Sequence, residues 1–258
     1  MNQIERRLFL ICSLLNERLE YRDWRIPQDV SDQKLLLRGL LNVRPAQVCN
    51  PEFLRVQDAY LRQATAKKGI TCSALSPVQP GLYLWQGDIT TLKCDAIVNA
   101  ANSGMTGCYI PNHRCIDNAI HTFAGVQLRL ACAEIMERQG CPEPTGQAKI
   151  TPAFNLPCRY ILHTVGPIVD ESPTERDCAQ LESCYRACLT LAAENHLESI
   201  AFCCISTGEF HFPNEQAAQI AVQTVKTFLN QKSSVKKVIF NVFKDLDREI
   251  YARLLRAD

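Results

Sequence analysis

Apolar residues in this chain follow two different rhythms. Up to about residue 70 they recur at helical spacing. Leu8, Ile11, Leu15 and Leu19 form one stripe, Leu35, Leu36, Leu40 and Leu41 a second, and Phe53, Val56, Tyr60 and Leu61 a third. Pro27, Pro45 and Pro51 separate these runs, as expected of residues that cannot continue a helix. The stretch KKGITCSALSPVQPG, ending at Gly81, shows neither rhythm and reads as a linker.

Beyond Gly81 short apolar runs take over. LYLWQGD, AIVNAA, AKITPAF, RYILHTV, SIAFCCI and KKVIFNVF read as strands. SIAFCCI is almost continuously apolar, the pattern of a strand covered on both faces. Between the strands lie helical stretches. One runs from Asp117 to about Glu137, with Ile120, Phe123, Ala124, Leu128, Ala131 and Ile135 on one side. Others cover residues 177–195, Asn214 to Leu229 and Asp245 to Leu255. Strands alternating with helices predict an α/β domain: three layers, α/β/α, around a largely parallel sheet, preceded by a small helical extension. There is no internal repeat and no low-complexity segment.

Composition narrows the function. The chain has 258 residues, 47% of them hydrophobic, enough for one large domain plus an extension. Its formal net charge of +1 gives no basic excess for nucleic acid and no acidic tail. ERRLFLI at the start resembles a twin-arginine export signal, but Asn16-Glu17-Arg18 ends the apolar run and no small-residue cleavage site follows. It reads as one face of a helix. No segment approaches the ~18 apolar residues of a membrane span. Fourteen cysteines raise the question of disulfides. Cys12, Cys132, Cys184, Cys188 and Cys203 sit among apolar residues, where free cysteine acts as a small hydrophobe. A reduced, cytoplasmic protein is expected.

Four motifs carry candidate chemistry, three of them at strand ends, where open α/β sheets bind ligands. In QGDIT, Asp88 reads either as an acceptor for an exocyclic amine such as adenine's or as a turn or cap residue. In NAAN, Asn99 and Asn102 suit sugar hydroxyls or their own backbone turn. ISTGEFHFP, Ile205 to Pro213, can turn several backbone N–H groups into one hollow fit for a diphosphate. It has neither a Walker lysine nor GxGxxG spacing, and its alternative is an ordinary loop. The fourth motif, GCYIPNHRCIDNAIH, places Cys108, His113 and Cys115 in C-x4-H-x-C spacing. Two thiolates and an imidazole are good zinc ligands, and three leave a position for water or substrate. A cysteine–histidine nucleophile and plain packing cysteines are the other readings.

Together and in this order the motifs resemble a macrodomain, the ADP-ribose-binding fold. QGDITTLKCDAIVNAAN, CIDNAIHTFAG, ILHTVGP and CISTGEFHFP carry the resemblance, from about Leu82 to the C-terminus. It implies a mixed, largely parallel sheet, with a macrodomain over residues 76–258 and the helical extension over 1–75. Most macrodomains have a glycine run where this chain has PNHRCID. That replacement, with NVRP and LRVQDAYL in the extension, resembles a zinc-dependent microbial subfamily. His211 also stands where many macrodomains have glycine.

The resemblance implies roles. Asp88 would bind the adenine amine, with the Ile89 backbone beside it and Phe243 stacking nearby. Ser206, Thr207, Gly208, Glu209 and Phe210 would wrap the diphosphate. Asn99 and Asn102 would face the distal ribose, beside Zn2+ on Cys108, His113 and Cys115. Asn102 and Asp117 would be the catalytic residues, although Asp117 reads equally as the cap of its helix. The subfamily's activity implies removal of mono-ADP-ribose from an acidic side chain of a modified protein. The implied carrier is a lipoyl-carrier protein like the glycine-cleavage H protein, modified by a sirtuin-type ADP-ribosyltransferase. The alternative is a non-catalytic ADP-ribose reader with a structural zinc.

Overall fold

The computed structural model describes residues 1–71 and 75–256. Six strands form one sheet: β1 (Leu82–Gln86), β2 (Ala96–Ala100), β3 (Ala148–Pro152), β4 (Tyr160–Thr164), β5 (Ser199–Phe202) and β6 (Lys237–Val242). Their order is β1-β6-β5-β2-β4-β3, and every pairing is parallel except β3 with β4. β3 ends on Pro152, which cannot donate to a ladder and is tolerated because the strand lies at an edge.

Eight α-helices accompany the strands among the described residues: α1 (Gln3–Asn16), α2 (Val30–Val43), α3 (Pro51–Lys68), α4 (Ile116–Ala124), α5 (Val126–Gln139), α6 (Glu175–Glu194), α7 (Asn214–Leu229) and α8 (Asp245–Leu254). Alternate residues of a strand face opposite ways. Asn99 of β2 bonds Asp117 of α4, while Phe202 of β5, which follows the Ala201↔Ile97 pair, stacks on Tyr185 of α6. Phe202 therefore shares a face with Val98 and not with Asn99, so α4 and α6 lie on opposite sides. This is the three-layer α/β/α architecture expected. α6, α7 and α8 pack in sequence on one side, and α4 and α5 cover β2 and β3 on the other.

Buried apolar side chains fall into two clusters. The larger embeds the sheet, with Ile97, Val98, Ile161, Leu162 and Ile200 fully buried. The smaller joins α1, α2 and α3 through Leu10, Ile11, Leu37, Leu40, Phe53 and Leu61. α2 and α3 also pack on α4. Among the described residues no helix is long and apolar enough to cross a membrane, and every described cysteine is free.

The structure corrects the pattern in four places. Leu19 leaves the first stripe: α1 ends at Asn16, and Leu19 lies in a short 3-10 turn, 80% exposed. In α2, Leu37 faces inward with Leu40 and Leu41, while Leu35 points to solvent. The single helix expected over 117–137 is two, α4 and α5, broken at Gly125 with φ of 99°. The Gln57 side chain accepts from the Val126 N–H at 3.0 Å and starts the second helix there. The apolar stripe runs through this break, which is why periodicity alone misses it. Finally, β5 stops at Phe202, so Cys203 and Cys204 of SIAFCCI lie beyond the ladder. In the linker, Thr71 docks on the turn after Asp88 through Thr71 N–H to Thr91 C=O and Lys93 N–H to Thr71 C=O, both 3.0 Å. Linker residues 72–74 lie outside the described residues.

Candidate active site

Four neighbouring parallel strands, β1, β6, β5 and β2, deliver their C-terminal ends side by side. Asp88 follows β1, Phe243 follows β6, the Ser206 to Phe210 loop follows β5, and Asn102 follows β2. Three strand spacings make a line of roughly 14 Å, which suits an elongated ligand.

At one end, Asp88 caps the 3-10 turn Ile89–Thr91. Its Oδ1 accepts from the Thr90 N–H at 3.0 Å and from the Thr90 hydroxyl at 2.6 Å. Its Oδ2 is paired with Lys68 at 2.9 Å. Burial works against the charge, but the Thr90 bonds and Lys68 hold the carboxyl below its usual range. The cap reading and an amine-binding reading are thus compatible, because each oxygen has two acceptor sites. The neighbouring Ile89 N–H has no acceptor among the described residues. Phe243, 76% exposed, follows β6 directly after Val242, whose C=O accepts from the Gly87 N–H next to Asp88.

In the middle, the loop after β5 is shaped by two left-handed residues, Ser206 (φ 64°) and His211 (φ 56°). His211 takes the backbone form a glycine would take, and its side chain points to solvent. Phe212 N–H bonds Ser206 C=O and closes the loop at 3.0 Å. The N–H groups of Gly208, Glu209 and Phe210 donate to no described group. Unpaired backbone donors gathered in one loop are the kind of group an anion site uses.

At the other end, α4 begins at Ile116 and its cap is Cys115, whose sulfur accepts from the Asn118 N–H at 3.4 Å. Asp117 is therefore not the cap. Its carboxyl turns inward: Oδ1 accepts from Asn99 Nδ2 at 2.8 Å and Oδ2 from Asn102 Nδ2 at 3.3 Å. Burial raises it to about 6, against the opposing pull of the Asn99 bond and Arg129. Asn99 is fully buried. Its amide also donates to His163 Nδ1 at 3.2 Å, which leaves His163 Nε2–H to donate to the Thr151 hydroxyl at 2.9 Å. Asn99 thus lies beneath the site and holds Asp117, whereas half-buried Asn102 borders it.

The Cys108, His113 and Cys115 ligand atoms all lie within 4.8 Å of one another. His113 Nδ1 is 3.5 Å from Cys108 Sγ, and its Nε2 is 3.5 Å from Glu209 Oε1. Two sulfurs and one imidazole at this separation fit a zinc ion, and a carboxylate on the far ring nitrogen is the usual partner of a ligating histidine. A second group, His121, Cys132 and His163, is also close-set and fully buried. Both His163 nitrogens there are engaged with Asn99 and Thr151, so the group reads as an orienting network under Asp117.

Sequence reasoning missed Lys68, Arg38, Arg129, His121 and His163. Each reaches the site across a helix or strand contact. The His163 signal was present as a histidine inside the apolar run RYILHTV.

Comparison with known proteins agrees with this geometry. A family model described as Macro domain matches residues 98–221. A Treponema medium protein named protein-ADP-ribose hydrolase is 58% identical over 260 residues, covering 99% of this chain and 100% of the relative. A Staphylococcus aureus (strain MRSA252) protein of the same name is 48% identical over 252 residues, covering 97% and 95%. Among solved structures, a Trypanosoma brucei macrodomain in complex with ADP-ribose is 29% identical with a TM-score of 0.65, covering 84% of this chain and 94% of that one. An Oceanobacillus iheyensis macrodomain with ADP is 37% identical with a TM-score of 0.63, covering 70% and 94%. Identity of 58% across 99% of this chain, together with the Macro domain match, places the chain in the macrodomain family.

Proposed function

We propose that this protein is a zinc-dependent hydrolase that removes mono-ADP-ribose from acidic side chains of a modified protein. The observation that carries the reading is the meeting of two groups at one end of the strand-end line. A Cys108–His113–Cys115 donor set stands beside a buried Asp117 carboxyl held by Asn99 and Asn102. Identity of 58% to a protein-ADP-ribose hydrolase supports the reaction class.

The ligand lies along the strand ends. Asp88 and the Ile89 N–H take the adenine edge, with Phe243 against its face. The free N–H groups of Gly208, Glu209 and Phe210, with Ser206 and Thr207, receive the diphosphate. Asn102 meets the distal ribose, and Asn99 acts through Asp117. Zinc on the three ligands supplies a Lewis acid for a ribose hydroxyl or a water. Asp117 takes the proton of the attacking oxygen, and its raised pKa suits a base working near neutrality. The Asn99 and Asn102 amides keep the carboxylate aimed. The departing carboxylate is a stable anion and needs little acid assistance, which favours an ester over an N-glycosidic link.

We take the carrier to be a lipoyl-carrier protein of the glycine-cleavage H type, modified by a sirtuin-type ADP-ribosyltransferase. The resemblance of the PNHRCID loop supports this pairing. Free cysteines throughout the described chain support a cytoplasmic setting. The two buried clusters support residues 1–75 as an extension and 76–258 as the macrodomain.

The test is release of free ADP-ribose from an ADP-ribosylated lipoyl carrier, followed by mass spectrometry. Chelation or Cys115→Ala is expected to abolish release, and Asp117→Ala to slow it by roughly a hundredfold or more. Binding of the modified carrier without any release overturns the hydrolase and leaves the reader.

A further inference from the structure

We infer that the helical extension is part of the metal centre, and that Arg38 on α2 is a positioning residue for its ligand loop. This rests on the reading of Cys108, His113 and Cys115 as metal ligands. The loop that carries them joins no strand ladder. Two of the side chains that hold its backbone, Arg38 and Asn42, come from α2. Arg38 Nη2 donates to the His113 C=O at 2.9 Å, and the same guanidinium grips Asn118 Oδ1 at 2.9 and 3.3 Å. Asn118 passes that grip on. Its Nδ2 donates to the Ile110 C=O at 3.1 Å, and its N–H to the Cys115 sulfur at 3.4 Å. One planar fork therefore holds one ligand residue directly and a second through the buried residue Asn118, whose backbone N–H meets the Cys115 sulfur.

One turn further along the same face of α2, Asn42 repeats the pattern. Its Oδ1 accepts from the Asn112 N–H at 3.0 Å, and its Nδ2 donates to the Thr122 hydroxyl at 2.9 Å. Asn112 is held at a φ of 57°, a left-handed form rare outside glycine, immediately before His113. Gly39 lies between the two, and a Cβ there would stand 3.3 Å from the Asn112 amide, so the helix backbone can approach the loop closely. Arg129 closes the arrangement. It donates to the C=O of Thr106 at 2.7 Å and to the C=O groups of Leu41 and Arg44 at the end of α2.

A loop of this kind left free must be ordered when the ion binds, and that ordering weakens affinity. Held in advance, it presents its ligands at little entropic cost. Groups that orient metal ligands typically change affinity by about 10- to 100-fold when removed. The test measures zinc affinity of the full chain by competition with a chromophoric chelator, with circular dichroism to confirm the fold. Arg38→Ala and Asn42→Ala are each expected to weaken zinc binding by about 10- to 100-fold. Arg38→Lys recovers only part, because an ammonium cannot span His113 and Asn118 in one fixed fork. Arg55→Ala, which removes an exposed Arg55–Glu52 pair on α3, leaves affinity unchanged. Wild-type affinity in folded Arg38→Ala and Asn42→Ala overturns this inference and leaves the metal site standing. Full recovery in Arg38→Lys shows that charge, not the fork, is at work and also overturns it. A wild type that binds no zinc overturns both. Should Arg38→Ala fail to fold, Arg38→Lys and Asn42→Ala decide the question.

Discussion

Lys68 and Asp88 stand 2.9 Å apart, one at the last turn of the extension and the other at the first strand end of the sheet. Lys68 also sits 3.2 Å from the centre of the Phe123 ring on α4. The extension therefore touches the line of candidate ligand residues at both ends, through Lys68 at Asp88 and through Arg38 at His113.

Asp88→Ala is expected to weaken ADP-ribose binding by roughly tenfold to a hundredfold, the value of a hydrogen bond to a charged group. Calorimetry on the two proteins measures it, and equal affinities would place the adenine elsewhere. Because Thr90 and Lys68 hold the carboxyl below its usual range, it is ionised throughout about pH 5 to 8. Its contribution to binding should be flat over that window and be lost only as pH falls through its lowered pKa. Lys68→Ala should change stability by less than about 1 kcal/mol, since both members of the pair are about one-third exposed.

Protein purified without chelator should carry about one zinc, the number one such ligand set holds. Cys108→Ala, His113→Ala and Cys115→Ala should each lose it. Burial pushes the Cys115 thiol up, so binding must expel its proton. Zinc uptake should therefore weaken as pH falls. Retention of full metal by the double cysteine variant would remove the assignment.

Asp117 makes a separate thermodynamic signature. Its folded pKa of about 6 lies above the ordinary 3.8. The folded state therefore binds the proton more tightly than the unfolded state, and ionisation costs stability as pH rises between those two values. Asp117→Asn does not titrate. In chelated protein, denaturant titration should show the stability difference moving in the variant's favour by about 2–3 kcal/mol between pH 4 and pH 7. A constant difference would show that Asp117 titrates normally.

Gly125→Ala should destabilise the protein by about 1–3 kcal/mol. The residue sits at a φ of 99°, and an added Cβ would come within 2.7 Å of the Gln57 and Gln127 side chains. Thermal unfolding of the variant measures this. An unchanged midpoint would mean that the α4–α5 break does not depend on glycine.

The strand-end motifs and the thiol–imidazole loop were legible because each is a local statement. Asp88, Ser206 to Phe210, and Cys108, His113 and Cys115 sit within short segments whose strands and turns announce where they end. Asn99 shows the limit of that reading. Its place in NAAN was plain, but its burial and its bond to Asp117 required the register of β2 against its neighbours and the packing of α4. Asp117 shows it again, since a carboxylate one residue inside a helix start looks like a cap until Cys115 is found in that position.

From the sequence by itself came the alternation of strands and helices, the helical extension, and the residue types able to bind an elongated anionic ligand and a soft metal ion. These depend on side-chain chemistry and on periods of two and 3.6 residues, which any window of the chain displays. Only the tertiary structure decided that α2 and α3 dock on α4, that Lys68 and Arg38 reach Asp88 and His113, and that the helix breaks at Gly125. Such contacts can join residues 80 or more positions apart, as in Arg38 with Asn118 and Arg129 with Leu41. They are set by how whole faces pack, and no local pattern in the chain encodes which face meets which.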